Sequence, residues 1–107
     1  MKETITVIIP CYNAEKYVGE AIASVKAQTR HDWRCVIVDD GSTDGSGEII
    51  DRETAGDERF MVFHTENRGV AAARNLAIEE AGGGYILPLD SDDRLIPYAL
   101  RRFMQEW

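Results

Sequence analysis

Four short runs rich in Val, Ile and aromatic residues alternate with segments of helical periodicity along this chain. That alternation leaves few architectures open. Ile5-Thr6-Val7-Ile8-Ile9, Arg34-Cys35-Val36-Ile37-Val38, Phe60-Met61-Val62-Phe63-His64 and Tyr85-Ile86-Leu87-Pro88-Leu89 read as strands. Pro10 is expected to stop the first, because it cannot donate to a ladder. Residues 15–28 carry Val18, Ala21, Ile22 and Val25 at i, i+3, i+4 and i+7, one face of a helix. Ser42-Thr43-Asp44 offers N-cap oxygens to a helix over 45–54, and Gly82-Gly83-Gly84 closes an Ala-rich helix over 69–81. A last helix is expected from Ile96, with Pro97 in its first turn. Near-continuous apolar strands joined by helices need cover on both faces. The expected fold is therefore a three-layer α/β/α arrangement around a mostly parallel sheet of about four strands.

In such sheets ligands bind beyond the carboxyl ends of the strands. Polar residues gather there in this sequence: Tyr12 and Asn13 after the first strand, Asp39 and Asp40 after the second, Glu66 and Asn67 after the third, Asp90 and Asp92 after the fourth. With 107 residues the chain makes a single domain. A formal net charge of −7 excludes nucleic acid as a partner and a polybasic membrane contact. No apolar stretch approaches the ~20 residues that span a bilayer. Met1-Lys2-Glu3-Thr4 leads into a strand without a secretory pattern, which points to the cytoplasm. Cys11 and Cys35 are expected at opposite ends of adjacent strands, too far apart for a disulfide. His31 and His64 have no partner at metal-ligand spacing and read as loop or surface residues.

Asp90-Ser91-Asp92-Asp93 crowds three carboxylates directly behind an apolar run. Carboxylates this close repel one another, and a hard divalent cation such as Mg²⁺ or Mn²⁺ relieves that repulsion. A solvated acidic turn is the simpler alternative. In Val38-Asp39-Asp40-Gly41-Ser42-Thr43-Asp44, Asp40 is expected to have left the sheet and to aim its carboxylate at a ligand, while Asp44 caps the next helix. Arg68 and Arg74 flank a helix start made of small residues, a place that suits phosphate. Arg74 serves either a nucleotide diphosphate or an ion pair with Asp40 or Asp90, and Arg68 either a ligand or solvent.

Ile9-Pro10-Cys11-Tyr12-Asn13, the Asp39–Asp44 segment, Asn67-Arg68-Gly69 with Ala73-Arg74-Asn75, and Leu89-Asp90-Ser91-Asp92-Asp93 together closely resemble family 2 glycosyltransferases. The resemblance spans roughly residues 5–100 and rests on the four motifs in order. It implies a Rossmann-like, partial GT-A fold and a nucleotide-sugar donor, a UDP-sugar foremost. It also implies Mn²⁺ or Mg²⁺, inversion at the anomeric carbon, and a glycan or lipid-linked acceptor, as in polysaccharide biosynthesis. Carried over, Pro10 and Tyr12 line the nucleobase pocket and Asp40 holds the base. Asp90 faces the ribose and metal, Asp92 ligates the metal directly, and Arg74 lies near the nucleotide. The family's catalytic base and acceptor-binding elements lie well downstream of its DxD motif, matched here by Asp90-Ser91-Asp92, whereas this sequence stops about fourteen residues after Asp93. The expectation is a donor-binding half, the N-terminal part of a longer domain, with the base downstream. The full-length protein is then expected at or near the inner face of the membrane.

The alternative is a nucleotide-binding or regulatory module complete at this length. A response-regulator-like phosphoacceptor fails, because its acidic pair follows the first strand and a later Lys is required; here no Lys occurs beyond Lys26. Dinucleotide-binding domains and phosphate-loop NTPases fail for want of a Gly-rich turn after the first strand. Leu95, Ile96, Leu100, Phe103, Met104 and Trp107 form an apolar stripe at the end of the chain. It reads as a fold cut short or as a surface for a homo-oligomer.

Overall fold

The structure is a computed structural model that describes residues 4–95, 97 and 99–101. Its elements run β1 (Ile5–Cys11), α1 (Val18–Lys26), β2 (Trp33–Asp40), α2 (Ser46–Thr54), β3 (Phe60–Thr65), α3 (Val70–Ala81) and β4 (Tyr85–Pro88). The four strands form one parallel sheet in the order β3-β2-β1-β4. Every connection is a crossover through a helix or a long turn, as parallel pairing requires. The expected α/β fold is the observed one.

Side chains alternate across the sheet, and each face has its own core. Ile5, Val7, Ile9 and Cys11 of β1 join Trp33, Cys35 and Ile37 of β2 under the α1 face made by Val18, Ala21, Ile22 and Val25, with Ile50 of α2 alongside. On the other face Ile8, Val36 and Val38 meet Ala73 and Ala77 of α3, whose small side chains let the helix lie close. Each fully buried Ile or Val contributes roughly 1.5–3 kcal/mol through burial. The α1 periodicity is as expected, but the helix starts at Val18, because Tyr17 and Val18 donate their N–H groups to Ala14 O in a preceding turn.

Two strands run two residues past their expected ends. Pro10 lies inside β1, in register with Val38. Ile8 and Thr4 direct their carbonyls to the β4 side, accepting from Leu89 and Tyr85, so the missing Pro10 N–H falls on that side too. Pairing with β4 stops at Ile8↔Pro88, and no bond of the β1–β2 ladder is lost. β2 continues two residues past Val38, so Asp39 and Asp40 are still in the strand and point to opposite faces. Cys11 ends β1 opposite Asp39, Cys35 sits opposite Val7, and both thiols are free and buried.

The chain returns to α1 after β4. Ser24 Oγ accepts the Leu95 N–H (3.0 Å), Gln28 Oε1 accepts the Leu100 N–H (3.0 Å), and Leu100 is buried. Helix appears from Ala99. Ile96, Phe103, Met104 and Trp107, and with them most of the expected apolar stripe, lie outside the described residues. Among the described residues no helix is long and apolar enough to cross a membrane.

Gly41 has φ +70°, and a Cβ there would stand 2.6 Å from the Asn67 backbone N. Gly82, at the end of α3, has a similar φ of +73° with open space around it. Urea unfolding is expected to show Gly82→Ala costing about 1 kcal/mol from the left-handed backbone alone. Gly41→Ala is expected to cost about 3 kcal/mol, because strain and a backbone clash combine. Equal losses would contradict the close approach of the two turns.

Candidate functional site

The carboxyl edge of the sheet is held by side chains that bond to backbone. Asn13, at φ +50°, donates its N–H to Ser42 Oγ (3.0 Å), and its Oδ1 accepts the Thr43 N–H (2.8 Å). Ala14 N–H reaches Ser46 Oγ (2.8 Å), and Glu15 N–H reaches Asp44 Oδ2 (3.2 Å). Asp44 Oδ1 also takes the Ser46 N–H (2.9 Å) at the start of α2. These polar residues lie at the rim, as the sequence suggests. Asn13, Ser42, Asp44 and Ser46 are occupied in tying the segment after β1 to the turn after β2.

Asp40 differs from expectation. It ends β2 without leaving the sheet and is only 2% exposed. Its Oδ1 accepts the Arg68 N–H (2.8 Å), and its Oδ2 accepts the Gly69 N–H (3.0 Å) and Asn67 Nδ2 (3.3 Å). The turn that leads into α3 thus gives its N–H groups to a buried carboxylate. Asp40 borders a cleft of about 550 Å³ on the α3 side, together with Glu66, Arg68 and Asn75. Arg74 is exposed, borders neither this cleft nor the next, and among the described residues pairs with neither Asp40 nor Asp90.

A second cleft, of about 360 Å³, brings together Pro10 and Tyr12 from the end of β1, Val70 from the start of α3, and Asp90, Ser91 and Asp92 from the turn after β4. Tyr12 is 51% exposed there, and so is Tyr17, a lining residue that sequence reasoning missed. An aromatic just ahead of the α1 apolar face was its only signal. The Asp93 N–H bonds to Asp90 O (3.0 Å), which folds the acidic turn back on itself. Carboxylate oxygens of Asp90, Asp92 and Asp93 then lie within 4.8 Å of one another. Oxygens around Mg²⁺ at about 2.1 Å are at most about 4.2 Å apart. Neighbouring oxygens in such an octahedron are about 3.0 Å apart, so these exposed side chains would have to draw in around an ion; an all-carboxylate donor set of this kind suits a hard divalent cation. Asp93 joins the two ligands expected from the sequence.

His64 is a surface residue, as expected, but it has partners. It lies in β3, with Nδ1 2.9 Å from Asp39 Oδ2 and Nε2 2.8 Å from Asp51 Oδ1. The bond to Asp39, then that to Asp51, raises its pKa above the ordinary histidine value. Asp39 Oδ1 accepts the Ser42 N–H (3.1 Å). Beside Asp39, burial pushes the Cys11 thiol up, so that it stays neutral.

Known proteins resemble this chain in sequence and in fold. The sequence model described as Glycosyl transferase family 2 matches residues 6–107. The glycosyltransferase GlyG of Streptococcus pneumoniae is 47% identical over 87% of this chain and 31% of its own length. The S. aureus TarS structure solved with UDP-GlcNAc superposes with a TM-score of 0.86 at 31% identity, over 95% of this chain and 30% of that one. A mannosyltransferase from Pyrobaculum calidifontis, solved with GDP-Man and Mn²⁺, gives 0.78 at 26% identity over 88% of this chain and 29% of its own. The chain spans well under half the length of the curated relatives it matches. A family match that runs almost from end to end makes this chain a member of glycosyltransferase family 2.

Proposed function

We propose that the chain forms the donor side of a glycosyltransferase. It binds a UDP-sugar with Mg²⁺ or Mn²⁺, for transfer with inversion at the anomeric carbon to a glycan or lipid-linked acceptor. The observation that carries this reading is the cleft in which Pro10 and Tyr12 face Asp90 and Asp92. The UDP-GlcNAc bound to TarS and the GDP-Man and Mn²⁺ bound to the mannosyltransferase support the ligand class.

In this reading Tyr12, half exposed, stacks on the nucleobase beside Pro10. Asp90 receives the ribose hydroxyls and shares the cation with Asp92, and Asp93 completes the set. Three acceptor positions of Asp40 hold residues 67–69, and its fourth takes the imide N–H of a pyrimidine. Arg74 follows Val70 by four residues and so shares its face of α3. Helical side chains lean toward the N-terminus, which brings the Arg74 guanidinium toward the diphosphate. A bound cation would neutralise the charge that grows on the departing diphosphate. The bond between the anomeric carbon and the diphosphate oxygen breaks as the acceptor oxygen bonds to that carbon from the opposite face. Removal of the acceptor proton is assigned to the part of the relatives' length that this chain does not span.

Isothermal titration is expected to show UDP binding that depends on Mg²⁺ or Mn²⁺ and is lost with a chelator. Binding indifferent to metal would reject the acidic turn as the site. Asp92→Asn is expected to weaken metal-dependent binding at least about tenfold, since even outer-shell changes at metal sites cost that much.

For the base pocket, Tyr12→Ala is expected to weaken UDP about tenfold, the loss of one stacking contact. Tyr12→Phe, which keeps the ring, is expected to bind nearly as well as the wild type. Equal losses in the two variants would remove stacking from the account.

A further inference from the structure

The donor cleft leaves unused a cluster one residue from Asp40. His64 has a carboxylate on each ring nitrogen, Asp39 from β2 and Asp51 from α2. Two such acceptors need two N–H donors, and imidazole carries both only as the cation. The neutral ring would set a lone pair against a carboxylate. Beyond Asp39, β1 presents only the neutral Cys11 thiol. α2 approaches this closely because residue 47 is Gly: a Cβ there would stand 3.0 Å from Asp39 Oδ2 and 3.6 Å from the His64 ring. Asp39 is 5% exposed, and its second oxygen holds the Ser42 N–H in the turn directly after Asp40.

We propose that His64 is a positioning residue of the nucleotide site: as an imidazolium held between Asp39 and Asp51, it fixes the turn from Asp39 to Ser42 that carries Asp40. It also offsets the charge of Asp39 beside a site that takes an anionic nucleotide. The inference rests on the donor-site reading. Binding linkage is reciprocal, so a proton that favours nucleotide must itself be held more tightly when nucleotide is bound. The same linkage sets the sign for stability. With its folded pKa raised, His64 contributes stability fully present below about pH 6.5 and lost as pH rises through the folded value.

The test is an NMR titration of the His64 ring in this chain, with and without saturating UDP and Mg²⁺, with the exposed His31 as internal control. UDP is expected to raise the His64 midpoint by about half a unit, equivalent to about threefold tighter binding to the protonated form. His31 is expected to stay put. Compared with wild type at each pH, so that the nucleotide's own titration cancels, His64→Gln is expected to bind UDP about threefold more weakly at pH 6.5. His64→Arg, which keeps a cationic fork, is expected to hold its affinity to pH 9. A His64 midpoint that UDP leaves unmoved overturns the proposal, because a merely structural histidine would behave so. Wild-type chain that binds no UDP at any pH overturns the donor-site reading, and this inference with it.

Discussion

The carboxylate of Asp40 is buried, charged and satisfied by peptide N–H groups instead of a cation. A carboxylate taken out of water without partners would cost several kcal/mol. Here the Arg68 and Gly69 N–H groups just ahead of α3 and the Asn67 amide replace the lost water, and the helix dipole adds to them. Both sides gain: the anion is solvated by the protein, and the turn leading into α3 is fixed. The bond also locks the end of β2 to the start of α3. Val70, the first residue of that helix, is thereby set opposite Tyr12 and Asp92, so the walls of one cleft depend on a residue that borders its neighbour.

The acids of this edge sort by burial. Asp39 has His64 and the Ser42 N–H, Asp40 has the start of α3, and Asp44 has the N–H groups of Glu15 and Ser46. Among the described residues no such donor reaches the side chains of Asp90, Asp92 and Asp93, which are exposed. In a protein with a net charge of −7, those three concentrate negative potential at one mouth. A divalent cation would answer that potential, and in the proposed reading it would turn a surface that repels a diphosphate into one that attracts it.

Much of this was legible in the residues. The period-3.6 face of Val18, Ala21, Ile22 and Val25 could bury only as a helix, and the apolar strands could pair only in a doubly covered sheet. The acidic turn after β4 was visible for the same local reason, since crowded carboxylates are unfavourable wherever the chain places them. Pro10 misled because its lack of an N–H was weighed without knowing which neighbour that N–H would have faced. The partners of His64 stayed hidden because Asp39 and Asp51 are 25 and 13 residues away in sequence. No spacing rule reaches across a crossover to find them.

The sequence by itself determined the order of strands and helices, the parallel pairing and the edge at which polar residues collect. Hydrophobic periodicity and turn chemistry are local, and right-handed crossovers follow from them. Only the tertiary structure decided which of those polar residues remain free to meet a ligand. Asn13, Ser42 and Asp44 look as available as Asp92 when read along the chain, yet their oxygens are occupied by N–H groups from other turns, and Asp40 keeps a single acceptor position. Folding must satisfy every buried N–H and C=O, and that accounting is closed in space, between segments far apart in the sequence.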